Sequence, residues 1–124
     1  MIKVTTDTDQ KLVEVIITGF IKTPEAARVS DELKKTMIQF GPKDAVLLID
    51  LVGFAPMSAD VLPILRGMGR DVIGFFRKTA LLQEFPMDFA GRKIIEAPPG
   101  YKMRAFLTRD EAMKYLMEPN APEA

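Results

Sequence analysis

The sequence predicts an α/β domain with a mixed sheet and packed helices, in the order β-β-α-β-α-β-α-β-α. Three observations carry that reading. Two alternating segments, Ile2 to Thr6 and Leu12 to Phe20, flank a polar turn at Asp7-Thr8-Asp9-Gln10, the pattern of a β-hairpin. Ala45 to Leu51 is too uniformly apolar for a strand with one wet face, so it reads as a central strand covered on both sides. From Thr23 onward, helix-period and strand-like segments alternate, which implies crossover connections.

Within the hairpin, Val13, Val15 and Ile17 share one strand face, and Gly19 sits near the strand end, where a bend costs little. Thr23-Pro24-Glu25 is a helix start: Thr can cap, Pro loses no needed donor in the first turn, and Glu faces the positive helix end. Ala26, Val29, Leu33, Met37 and Phe40 make one buried stripe, and Gly41-Pro42 ends the helix.

The second helix is expected from Val61 to about Ile73, capped by Asp60 and closed at Gly74, with Ser58 as the alternative cap. Arg77 to Gln83 reads as a strand and Pro86 to Glu96 as a helix; Ala97-Pro98-Pro99-Gly100 is a break. Lys102 to Leu107 is the last strand. Thr108-Arg109-Asp110-Glu111 is a capping box, opening a final helix from Arg109 to Met117. The domain is therefore expected to span residues 1–118, with a frayed tail over 119–124.

Composition narrows the chemistry. At 124 residues the chain is long enough for one domain with a real core. Seventeen basic residues offset 17 acidic ones, so no global field favours nucleic acid or an anionic membrane. Cys and His are both absent. That removes disulfides, thiolate nucleophiles, Cys-based zinc sites and the usual neutral-pH general base. No cofactor, no metal and no catalytic residue is expected, and an enzyme ranks last because no nucleophile–base pair is visible. The N-terminus lacks a signal pattern, and no apolar run approaches the ~20 residues that span a bilayer. The expectation is a cytoplasmic protein that does not cross a membrane.

The most informative stretch is Ala45 to Leu65, AVLLIDLVGFAPMSADVLPIL. A strand ends in Asp50, a short Gly/Pro-bearing loop follows, and a helix starts near Asp60. Such junctions are common places for ligands or partners to be met.

The element order, the Asp50 junction, the segment from Val13 to Glu25 and the closing stretch from Phe106 to Glu111 together resemble the STAS family, and within it the SpoIIAA-like branch. The resemblance covers about Ile2 to Met117 and is carried by pattern more than by signature residues. It implies a protein-interaction module of signalling regulation in bacteria. In anti-sigma-factor antagonists of this type, the loop carries an Asp-Ser-Ser/Thr-Gly motif whose hydroxyl a kinase phosphorylates, and the added charge disrupts the protein contact. Aligned without gaps from Asp50-Leu51, Ser58 falls on the motif's Asp, Ala59 on the first hydroxyl position and Asp60 on the second. The switch motif is degenerate in this register. A two-residue slip makes Ser58 the candidate phosphorylation site; otherwise Ser58 is a loop serine bonding to nearby backbone. Asp60 already places a permanent negative group at the helix start, where a phosphate would gain from free amides.

Other candidates stand beside plainer readings. Asp50 lacks the acidic pair that a phospho-accepting receiver needs after an early strand, so it reads as an anchor for the following loop. Arg66, Arg70, Arg77 and Lys78 form a basic cluster interrupted by Asp71; a solvated face is favoured over an anion site that Arg109 could join. In the second helix, Val61, Ile64, Leu65, Met68 and Val72 point to the core, while Leu62, Gly69 and Ile73 lie a quarter-turn round and fit either a partner face or helix packing. Phe54, Met57, Phe75, Phe76, Phe85, Met87 and Phe89 are a surplus of large apolar groups near loops and helix ends, mostly core.

Two functions follow from different classes. The favoured one is a non-catalytic module that binds a protein partner, or itself, through Phe54, Met57, Ser58, Asp60, Leu62, Arg66 and Ile73. The alternative is a carrier for an apolar small ligand or lipid, since the SpoIIAA-like branch is similar in outline to Sec14-type lipid-binding domains. That alternative needs a cavity of at least ~300 Å³, floored by Leu62, Ile73, Phe75 and Phe89.

Overall fold

The computed structural model describes residues 1–19, 22–52, 63–64, 67, 73–82 and 103–118. Five strands, β1 (Ile2–Asp7), β2 (Leu12–Ile17), β3 (Val46–Asp50), β4 (Thr79–Leu82) and β5 (Met103–Phe106), lie side by side in their sequence order. β1 and β2 are antiparallel; β2, β3, β4 and β5 are parallel. Helix α1 (Thr23–Gln39) follows β2, and helix α2 (Arg109–Met117) follows β5. The mixed sheet opened by a hairpin is the one expected from sequence.

The hairpin turn has a specific anchor. Asp7 Oδ1 accepts from the Asp9 amide at 3.0 Å and the Gln10 amide at 3.1 Å, so the carboxylate closes the turn on itself. Lys11 completes the turn in the left-handed region at φ 52°, and its ammonium meets Asp44 Oδ1 at 2.8 Å. β2 ends at Ile17, short of the expected span, and two residues on Gly19 adopts φ +70°, the left-handed region that favours glycine.

α1 opens one residue earlier than its cap pattern implied. Lys22, extended at φ −97° and ψ 161°, holds the cap position, and its carbonyl accepts the first helical bond from Ala26 at 3.1 Å. Thr23 is thus the first helical residue, and Pro24 still lies in the turn whose amides have no helical partner. The Lys22 amide meets Glu25 Oε1 at 3.5 Å. Ala26, Val29 and Leu33 are fully buried, as the stripe requires, and the buried Thr36 hydroxyl donates to the Leu33 carbonyl at 2.6 Å.

The sheet separates two cores. On one face Val13, Val15, Ile17, Leu47, Ile49 and Leu81 meet Ala26, Val29 and Leu33 of α1, with Phe40 and Phe76. On the other, Leu12, Val46, Leu48, Ala80 and Leu82 meet Ala112 and Leu116 of α2. β3 contributes to both, which explains its unbroken apolar run.

Residues 63, 64 and 67 are helical, within the span expected for the second helix, and Ile64 packs on the α1-side core. Its expected close at Gly74 is replaced by a 3-10 turn over Ile73–Phe75 that runs through Gly74. Lys43, left-handed at φ 60°, ties this turn down: its amide donates to the Phe75 carbonyl at 2.8 Å and its ammonium to the Gly74 carbonyl. Among the described residues, no helix is long and apolar enough to cross a membrane.

Candidate functional site

Asp50 ends β3 between β2 and β4, at the sheet edge where the parallel strands finish. Its carboxylate is committed to the backbone: Oδ1 accepts from the Val52 amide at 2.9 Å, while the Leu51 amide bonds the Leu82 carbonyl at 2.8 Å. Asp50 is the loop anchor that its plainer reading described. Val52, the next outward residue, is exposed.

A polar cluster stands beside it. Glu14 of β2 is 13% exposed, and both its oxygens receive Arg109: Nη1 on Oε1, and Nη2 on Oε2 at 3.1 Å. The Glu14 hydrogen bond is the main reason that the Arg109 pKa rises above its ordinary value; burial opposes it, and the charges of Glu14 and Asp50 add to it. The guanidinium stays protonated throughout the usable pH range. Arg109 is therefore engaged by carboxylates rather than offered to an anion, which corrects its candidacy for an anion site. Thr108 caps α2, accepting from the Glu111 amide at 3.3 Å; the reciprocal arm of the expected capping box is replaced, because Glu111 Oε1 accepts from the Thr108 hydroxyl at 2.9 Å rather than from its amide.

The basic cluster also resolves differently from its solvated reading at Lys78. That residue is 4% exposed, and its ammonium donates to the Tyr115 carbonyl at 2.9 Å and the Glu118 carbonyl at 2.8 Å. It also sits 4.9 Å from the Tyr115 ring centre. Arg77 reaches the Leu116 carbonyl at 3.5 Å. Both cations serve the negative end of α2. Sequence reasoning read the residue types correctly but had no signal for the helix end that passes over them.

Of the expected partner-binding residues, Phe54, Met57, Ser58, Asp60, Leu62 and Arg66 lie outside the described residues, as do Arg70 and Asp71. Ile73 opens the 3-10 turn. Of the expected pocket, Leu62 and Phe89 also lie outside; Phe75 is half-buried and packs edge-on to the buried Phe76, ring centres 5.8 Å apart. Among the described residues, no group of three or more His, Cys, Asp and Glu side chains could hold a metal ion.

Among the described residues the strands follow one another in sequence order, with no reversal of the kind that marks a switch point in doubly wound folds.

No family model and no curated protein matches the sequence. Solved structures do. A SpoIIAA-like-fold protein of the DUF3478 family from Shewanella loihica is similar over 94% of this chain and 92% of its own, at a TM-score of 0.71 and 12% identity. An anti-sigma factor antagonist from Mycobacterium paratuberculosis is similar over 95% of this chain and 96% of its own, at a TM-score of 0.58 and 15% identity. With a hairpin-opened mixed sheet, α1 on one face, α2 on the other and near-complete coverage of both structures, the chain is a domain of the STAS/SpoIIAA-like fold.

Proposed function

We propose that the chain is a non-catalytic regulatory module of the cytoplasm that binds a protein partner through the segment following β3. The observation that carries this reading is end-to-end similarity of fold to an anti-sigma factor antagonist, a protein whose role is exercised on another protein. The commitment of Asp50 to the Val52 amide and of Arg109 to Glu14 supports it, because neither side chain is held ready for chemistry. The contact residues on this reading are Phe54, Met57, Ser58, Asp60, Leu62, Arg66 and Ile73. The phosphoswitch is degenerate, with Asp60 supplying a permanent charge where a switchable one stands in the antagonists.

The test is affinity capture from extract of the native host, with the wild-type chain, Met57→Ala and Arg66→Glu as baits and mass spectrometry as the readout. The expected result is a protein retained by the wild type and lost from both variants, whose circular dichroism matches the wild type. Equal retention by all three baits overturns the assignment of this surface. The same extract, with Ser58→Ala as control, reads phosphorylation: a phosphate on Ser58 overturns the degenerate-switch reading.

A further inference from the structure

β1 is an edge strand, and its hydrogen-bond parity is fixed by its first residues. The Met1 amino group donates to the Thr18 carbonyl, and the Thr18 amide donates to the Met1 carbonyl at 2.9 Å. Bonded pairs alternate along an antiparallel ladder, so the groups of Lys3, Thr5 and Asp7 turn toward β2. Those of Val4 and Thr6 turn outward. Lys3, Thr5 and Thr6 are exposed, and the strand carries no proline to blunt the edge. Among the described residues α2 contacts β3, β4 and β5, and Lys3 and Thr5 on that face of β1 are exposed.

We propose that this edge pairs with β1 of a second copy of the chain, antiparallel about a two-fold axis at Thr5. That register is selected by the residues themselves. Val4 of one copy exchanges its outward amide and carbonyl with Thr6 of the other, as their parity allows. Thr5 faces Thr5 at a non-bonded position, where side chains approach most closely. Lys3 then stands opposite Asp7 of the second copy, and the two-fold axis makes the ion pair twice. Lys3 has no ion pair among the described residues of its own chain, and the hairpin turn uses only Oδ1 of Asp7, leaving Oδ2 for the contact. The strand is six residues long, so the pairing buries less than a standard interface and the association is concentration-dependent. None of these residues belongs to the contact set assigned to a partner above.

Sedimentation equilibrium of the full chain across a concentration series tests it. The wild type is expected to approach the mass of two chains at the upper end. Thr6→Pro removes an outward donor without touching a β1–β2 bond, and is expected to remain a single chain with unchanged circular dichroism. Lys3→Glu turns both attractions into repulsions, and is expected to weaken dimerisation by about tenfold or more. A wild type that stays a single chain at every concentration overturns the proposal, including the case in which the edge takes another protein's strand. So does a Lys3→Glu chain that dimerises as the wild type does, which keeps the test decisive if Thr6→Pro fails to fold.

Discussion

The guanidinium of Arg109, at the first position of α2, is gripped at two points by the carboxylate of Glu14 in β2. A cation is misplaced at the positive end of a helix; Glu14 is what makes the position tolerable. Glu14→Gln should therefore lower stability, and a double-mutant cycle with Arg109→Gln should give a coupling of about 0.5–1 kcal/mol, modest because Arg109 is half exposed to solvent. Urea unfolding measures it, and the coupling should shrink in high salt. A coupling of zero at low salt would show the pair to be ornamental.

At the other end of the same helix, Lys78 donates to two carbonyls from a buried site. Lys78→Met should leave those carbonyls without their cation and cost about 2 kcal/mol or more. It should cost more than Glu14→Gln, since Lys78 itself is buried. Hydrogen exchange should rise first in the last turn of α2. Uniform exchange across the chain would mean that Lys78 contributes only packing.

Thr108→Ala removes the side-chain acceptor for the Glu111 amide and should cost about 1 kcal/mol, with Thr108→Ser recovering most of it. Equal stability of the Ala and Ser variants would contradict the cap.

Two apolar residues should behave oppositely. Leu48, at the centre of β3, is fully buried, and Leu48→Ala should cost about 2–5 kcal/mol. Ile38 on α1 is 87% exposed, and Ile38→Ser should change stability by less than about 0.5 kcal/mol. Denaturant midpoints for the two variants give the comparison directly.

Native mass spectrometry of freshly purified chain should show the protein mass alone. A co-purifying lipid would favour the apolar-carrier reading.

What the sequence made legible was what local chemistry determines. The Asp7 turn, the α1 stripe, the two-sided burial of β3 and the Thr108 cap are all set by residues a few positions apart, so pattern alone locates them. The misreadings share one cause. Lys78 reads as part of a solvated face because Asp71 interrupts the basic cluster, yet the groups that hold it lie 37 and 40 residues away at the end of α2. Arg109 could join an anion site on sequence alone, because its partner Glu14 is 95 residues distant. The Lys22 cap differs by backbone conformation at Lys22, which residue type constrains only loosely. At the candidate site, the anchoring role of Asp50 was legible because Val52 is two residues away.

The strand order has a kinetic meaning. Because each strand lies beside its predecessor in sequence, the sheet can grow in one direction from the β1–β2 hairpin, every step closing the shortest loop the chain permits. α2 is made from the last of these residues, and its side chains complete the second core only when β3, β4 and β5 are already in place. A chain emerging from the N-terminus would thus carry its α1-side core early, and Val46, Leu48 and Leu82 would meet Ala112 and Leu116 only once the residues of α2 arrive.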